Sequence, residues 1–157
     1  MSRYLTIFLT TFFLAGYAGS ANAAEKQAYI YKIKPGTTFV LKKDLTIPER
    51  AAHVDLQDGK IKNYSAVDKY APNCRFEVNT KGEQTIKPAT FTVAKVKQSN
   101  EVVTRGTINY AVKFELKASD PNIRSITCGA WGSTTDGYVT VSQMQQAVGD
   151  YFDTPTP

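Results

Sequence analysis

Histidine is almost missing from this chain. His53 is the only one, alongside two cysteines, two methionines and one tryptophan in 157 residues. Zinc sites draw on clustered cysteine and histidine, and serine or cysteine triads need a histidine base oriented by a carboxylate. Asp55 falls on the same strand face as His53, about 7 Å along it at two residues' rise. No G-x-S-x-G elbow supplies a nucleophile for such a pair. Acidic residues are scattered, without the alternating carboxylates and closing glutamate of a calcium loop. No glycine-rich phosphate cradle and no dinucleotide fingerprint occurs. No cofactor and no metal are therefore expected. A pair of carboxylates brought together only by folding, as in glycoside cleavage, is invisible at this level.

Long apolar runs are also scarce. One occurs, from Leu5 to Gly19, preceded by Arg3 and closed by the small residues Ala21-Asn22-Ala23. It is short of the ~20 apolar residues a spanning helix needs and is interrupted by Thr6, Thr10 and Thr11. The three-part pattern is that of a cleavable secretory signal over residues 1–23, cut after Ala23. Leu14-Ala15-Gly16 opens like a bacterial lipoprotein box, but Tyr17 stands where the lipid-bearing cysteine would be. Cleavage removes 23 of 157 residues and leaves 134, enough for one domain with a real core. Only Arg3 is lost from the +5 of the full chain, so the mature charge is +4. No transmembrane segment remains after cleavage, and the protein is expected to be periplasmic or secreted.

A surplus of this size permits attraction to anionic lipids or envelope polymers without demanding it. Nucleic acid is not expected, because neither zinc-finger spacing nor an aromatic-and-glycine RNA signature is present. Cys74 and Cys128, an even pair in an oxidising compartment, read as one disulfide; the alternative is two free buried thiols.

Strand signals fill residues 24–152, the expected single β-rich domain. Ile108, Tyr110, Val112, Phe114 and Leu116 alternate with polar residues across residues 107–117, and Ser119-Asp120-Pro121-Asn122 then supplies a turn. Ile126, Cys128 and Ala130 share one face of a returning strand, as Cys74, Phe76 and Val78 share one face of another. Ala52, Val54 and Leu56 alternate with His53, Asp55 and Gln57, ahead of the hairpin signal Asp58-Gly59. Residues 29–34, 39–41 and 89–96 are further strand candidates. One helix is expected near the end, where Thr140 and Gln143 form a capping box, Val141, Met144, Val148 and Tyr151 recur at helical spacing, and Gly149 is placed to stop it. Residues 153–157 read as a disordered tail. The fold class is mainly β, an antiparallel sandwich or partly open barrel with one C-terminal α-helix.

Lys32 and Lys34 would share a strand face, Lys42 and Lys43 follow closely, and Lys95 and Lys97 share another. Strand lysines commonly protect exposed edges; the alternative is an anion-binding face built from these six residues. Trp131 is expected to pack in the core near Cys128, since tryptophan is highly buried on average; the alternative is an exposed aromatic contact.

Several segments together resemble one family. They are Ile47-Pro48-Glu49-Arg50-Ala51, Val54-Asp55-Leu56-Gln57-Asp58-Gly59, Tyr70-Ala71-Pro72-Asn73-Cys74-Arg75-Phe76-Glu77-Val78, Gln84-Thr85-Ile86-Lys87-Pro88, Ile126-Thr127-Cys128 and the ending Ala147-Val148-Gly149-Asp150-Tyr151. The chain resembles a family of small uncharacterised envelope proteins and lipoproteins of gamma- and other proteobacteria, over nearly the whole mature chain. The resemblance implies one paired cysteine set and an envelope address, and brings no activity with it. Tyr17 departs from the lipoprotein members. The function expected is a non-catalytic exported envelope protein that binds a protein partner or an anionic envelope component. The alternative is a periplasmic hydrolase using His53 and carboxylates assembled by folding.

Overall fold

A computed structural model describes residues 27–157; the expected leader lies outside the described residues. The described residues form β1 (Thr38–Leu41), β2 (Leu45–Ile47), β3 (His53–Gln57), β4 (Lys60–Lys62), β5 (Asn73–Val78), β6 (Gln84–Ile86), β7 (Ala89–Thr104), β8 (Thr107–Lys117), β9 (Ile123–Gly132), one α-helix α1 (Val141–Val148) and β10 (Phe152–Asp153). Eight strands make one curled antiparallel sheet, a half-barrel in the order β10-β1-β7-β8-β9-β5-β3-β4, and β2 pairs with β6 in a second, two-stranded sheet. The mainly β architecture with a short C-terminal helix follows the alternation in the sequence.

Each turn has a local cause. Asp58 and Gly59 both take positive φ, 53° and 68°, as the tight β3–β4 hairpin requires. The β8–β9 turn is held by the Asp120 carboxylate, which accepts from the Asn122 backbone N–H at 2.8 Å. The helix starts on a complete capping box: Thr140 Oγ1 accepts from the Gln143 backbone, and the Gln143 side chain accepts from the Thr140 backbone N–H at 2.8 Å. It ends at Gly149, whose φ is 55°.

One face of the large sheet is apolar and carries the core. Phe39, Phe76, Phe91, Phe114 and Phe152 are fully buried there together with Met144 of α1. The helix lies over β5 and β3 with Val141, Met144, Ala147 and Val148 turned inward. Cys74 and Cys128 are opposed across β5 and β9 and joined by a disulfide within this core.

Three segments depart from expectation. Residues 29–34 are not a strand: Ile30–Lys32 is a single 3-10 turn that buries Ile30, with Pro35-Gly36 close behind. The strand expected over residues 89–96 runs on to Thr104, because β8 offers it a partner along its whole length. The tail is held. Phe152 and Asp153 pair with Leu41 and Val40, Thr154 bonds the Gln145 side chain, and Pro155 is buried. A buried aromatic just before these residues anchors what composition alone reads as free.

Candidate functional site

The opposite face of the large sheet is polar, and alternation dictates what it displays. Residues one position away from the core residues on β3, β5, β9, β8 and β7 line up in rows across the sheet. One row is Asp55, Arg75, Thr127, Lys113 and Lys97, and the next is His53, Glu77, Ser125, Glu115 and Lys95.

Over β3 this face is covered, since Asp55 and Gln57 are buried although they point away from the core. The cover is the loop 63–72. Gln57 pins it through backbone groups, its side-chain N–H donating to the Asp68 carbonyl at 2.8 Å and its Oε1 accepting from the Asp68 N–H at 3.0 Å. The Trp131 backbone N–H adds a bond to the Lys69 carbonyl at 2.7 Å. So fixed, the loop stands Tyr64, Lys69 and Tyr70 beside the sheet.

Between loop and sheet lies a groove of about 260 Å³ lined by Asp55, Tyr64, Lys69, Asn73, Arg75 and Trp131, with Asn109, Thr127 and Gly129 completing it. Gly129 forms part of the floor, where a Cβ would stand 2.9 Å from the Ala111 Cα and closer still to the Tyr110 carbonyl oxygen. The Tyr64 ring has the Lys69 ammonium 4.1 Å and the Arg75 guanidinium 5.1 Å from its centre, both within cation–π range. Arg75 grips Asp55 with two hydrogen bonds, Nε to Oδ1 at 2.8 Å and Nη2 to Oδ2 at 3.1 Å. Tyr70 meets Trp131 edge to face at 5.6 Å. A second, wider hollow of about 580 Å³ adjoins across Trp131 and Tyr70 and is lined also by Tyr29, Asp136, Tyr138 and Gln143. Tyr64 and Tyr70 are 62 % and 63 % exposed, so the wall of the groove offers aromatic surface to solvent.

His53 stands at the edge of this face with Nε2 3.9 Å from Asp55 Oδ2. Both Asp55 oxygens already accept from Arg75, so the carboxylate that would orient a histidine base is committed elsewhere. In the next row Glu77 is partly buried, which alone would push its carboxyl up. Hydrogen bonds from Lys113 and Ser125 together outweigh that and hold it below the ordinary carboxylate value.

The six candidate lysines do not converge. Lys32 closes the 3-10 turn and Lys34 lies two residues beyond it, so the two do not share a strand face. Lys42 pairs with Asp153 at 2.9 Å and Lys43 with Asp150 at 3.4 Å, beside β10. Lys95 and Lys97 lie on the polar face, Lys95 opposite Glu115 and Lys97 ion-paired with it. Three separate places, with acids interleaved in two of them, replace a single basic face. Trp131 is not in the core. It lies three residues past Cys128, an odd step that puts it on the other face, where it is partly exposed in the groove. The residues that sequence reasoning passed over are Tyr64, Lys69, Asn73, Arg75 and Asn109. The signal for three of them was available: Asn73 and Arg75 have the opposite parity to Cys74, and Asn109 the opposite parity to Tyr110.

Among the described residues no group of histidine, cysteine and carboxylates is arranged to hold a metal ion, and no helix is long and apolar enough to cross a membrane. Compared with known proteins, the chain matches no family model, no curated protein and no solved structure.

Proposed function

We propose that this chain is a non-catalytic, exported module of the bacterial cell envelope, akin to the small envelope proteins it resembles, and that its sheet-face groove binds an acidic envelope saccharide. The observation that carries the reading is the Tyr64 ring with Lys69 and Arg75 set around it, facing Trp131 across a narrow groove. Flat aromatic rings offer an apolar surface to the faces of a sugar, while Asn73, Asn109 and Thr127 offer amide and hydroxyl partners to its hydroxyls. Lys69 makes no ion pair among the described residues and stands ready for a carboxylate or phosphate. Export is supported by the N-terminal pattern of Arg3, the apolar run and Ala21-Asn22-Ala23, and by a disulfide, which persists in oxidising compartments. A hydrolase reading would rest on His53 and Asp55. It has less support, because Arg75 takes both Asp55 oxygens.

Trp131 is the only tryptophan, so its fluorescence reports the groove directly. Titration with an oligogalacturonate is expected to shift that emission, with binding weakened by salt, and Lys69→Ala is expected to weaken it by about tenfold, the worth of one charge-assisted hydrogen bond. A neutral cello-oligosaccharide of the same length is expected to bind far more weakly. Unchanged emission with millimolar oligogalacturonate, or equal binding of the neutral sugar, overturns the reading.

A further inference from the structure

We infer that two copies of this chain associate through the outer half of β7, pairing antiparallel and two-fold symmetrically about Ser99. β7 is sixteen residues long, and β1 accompanies only its first part, from Ala89 to Thr92. Two further bonds, between Val93 and the backbone of Gly36 and Thr37, end the contact. Beyond Val93, among the described residues, no backbone hydrogen bond reaches β7 from that side, so its N–H and C=O groups form an open edge as far as Thr104. On its other side β8 pairs with it to the hairpin tip, in unbroken register from Lys95 to Val102 between a bulge at either end. Val102 on this arm is 76 % exposed, the most exposed large apolar residue among those described.

An open edge is a template for another strand, and natural edges select or refuse partners with charge. Lys95 and Lys97 refuse most incoming strands. A strand bringing a carboxylate opposite Lys97 is accepted, and β7 of a second copy is such a strand. In the register that places Ser99 opposite Ser99 of the second copy, Lys97 of each copy faces Glu101 of the other, giving two reciprocal opposite-charge pairs on one face of the joined sheet. On the other face Val102 of each copy meets Val96 of the other, which covers the exposed valine. A step of two residues one way sets Lys97 opposite Val103 and loses both pairs; a step the other way exchanges them for Lys95 with Glu101 but moves Val96 off Val102 to face Asn100. Only the register centred on Ser99 joins the charge pairs on one face with the valine pairs on the other, and it specifies the partner as the same chain. Both copies' half-barrels would then continue into one sheet, with their polar faces on the same side. This inference stands apart from the groove reading and is tested without any saccharide.

Sedimentation velocity on the disulfide-bonded protein, from about 1 µM to about 1 mM, is expected to show a concentration-dependent monomer–dimer equilibrium. Glu101→Lys sets like charges opposite each other twice and is expected to weaken the dimer by about tenfold or more. Lys97→Glu is expected to do the same, and combining the two substitutions restores dimerisation by exchanging the charges. Both positions are exposed, so near-unchanged circular dichroism serves as the folding control. Ser99→Cys is expected to form an intermolecular disulfide on mild oxidation, since directly opposed residues place their Cα atoms within bridging distance. A monomer throughout the range, a dimer insensitive to Glu101→Lys, or failure of the double exchange to restore association overturns the inference. Strand addition by an unrelated peptide to a strictly monomeric protein likewise counts against it.

Discussion

Glu77 shows how a single residue ties stability to pH on the polar face. Its carboxylate accepts from Lys113 at 2.8 Å and from Ser125 Oγ at 2.6 Å, and these bonds lower its pKa despite partial burial. A carboxylate whose folded pKa is depressed stabilises the fold fully above its ordinary value of 4.5, and that contribution is lost as pH falls through the lower folded value. Glu77→Gln is thus expected to cost about 1.5–3 kcal/mol at pH 7, the range for hydrogen bonds to a charged group. The difference should shrink below pH 4.5, so urea unfolding of the variant should show a flatter acid limb than the parent; equal slopes would exclude this role. At the same scale the sequence was readable through parity: the inward aim of Cys74 and Cys128 followed from alternation alone. Trp131 sits opposite to where average tryptophan burial points, because its odd offset from Cys128 turns it to the polar face. Lys69 and Tyr64 were invisible, since they belong to an irregular loop whose position depends on Gln57 reaching the Asp68 backbone.

Among the elements, β5 and β9 bear the only covalent tie. The bridge closes a stretch with a sequence separation of 54, for which the chain-entropy account gives about 4 kcal/mol. Replacing both cysteines by alanine is expected to lower the unfolding free energy by about that amount, read as a drop in urea midpoint, with loss of cooperative folding as the extreme case. A midpoint unchanged from the parent would show that the β5–β9 register needs no staple. Elements with a chemical signature were legible: the Asp58-Gly59 hairpin, the Ser119–Asn122 turn and the Thr140–Gln143 box all form as their residues require. The outer half of β7 was not, because both of its faces are largely exposed and no apolar alternation marks it. β2 and β6, three residues each, are too short to carry a period. Residues 29–34 misled for the opposite reason: their side chains favour a strand, yet the segment closes a 3-10 turn that buries Ile30, with only Tyr29 bridging to Thr140.

For the molecule as a whole, the last few residues close the structure. Phe152 is fully buried, with its ring 5.8 Å from Phe76 and 6.4 Å from both Phe39 and Phe91, and it arrives there on the strand that edges β1. A chain ended after Tyr151 is expected to lose at least the ~3–5 kcal/mol that removing a core phenylalanine costs, seen as a large fall in melting temperature by circular dichroism. A truncated protein melting within a few degrees of the parent would mean the five-phenylalanine core tolerates the gap.

The loop that walls the groove is secured by contacts to main-chain atoms, at Asp68 from Gln57 and at Lys69 from Trp131. Its exposed side chains Tyr64 and Tyr70 meet the sheet through ring contacts alone, to Arg75 and to Trp131. Mutational drift can therefore rewrite what the wall recognises while the scaffold beneath stays the same, much as exchangeable tips fit one handle.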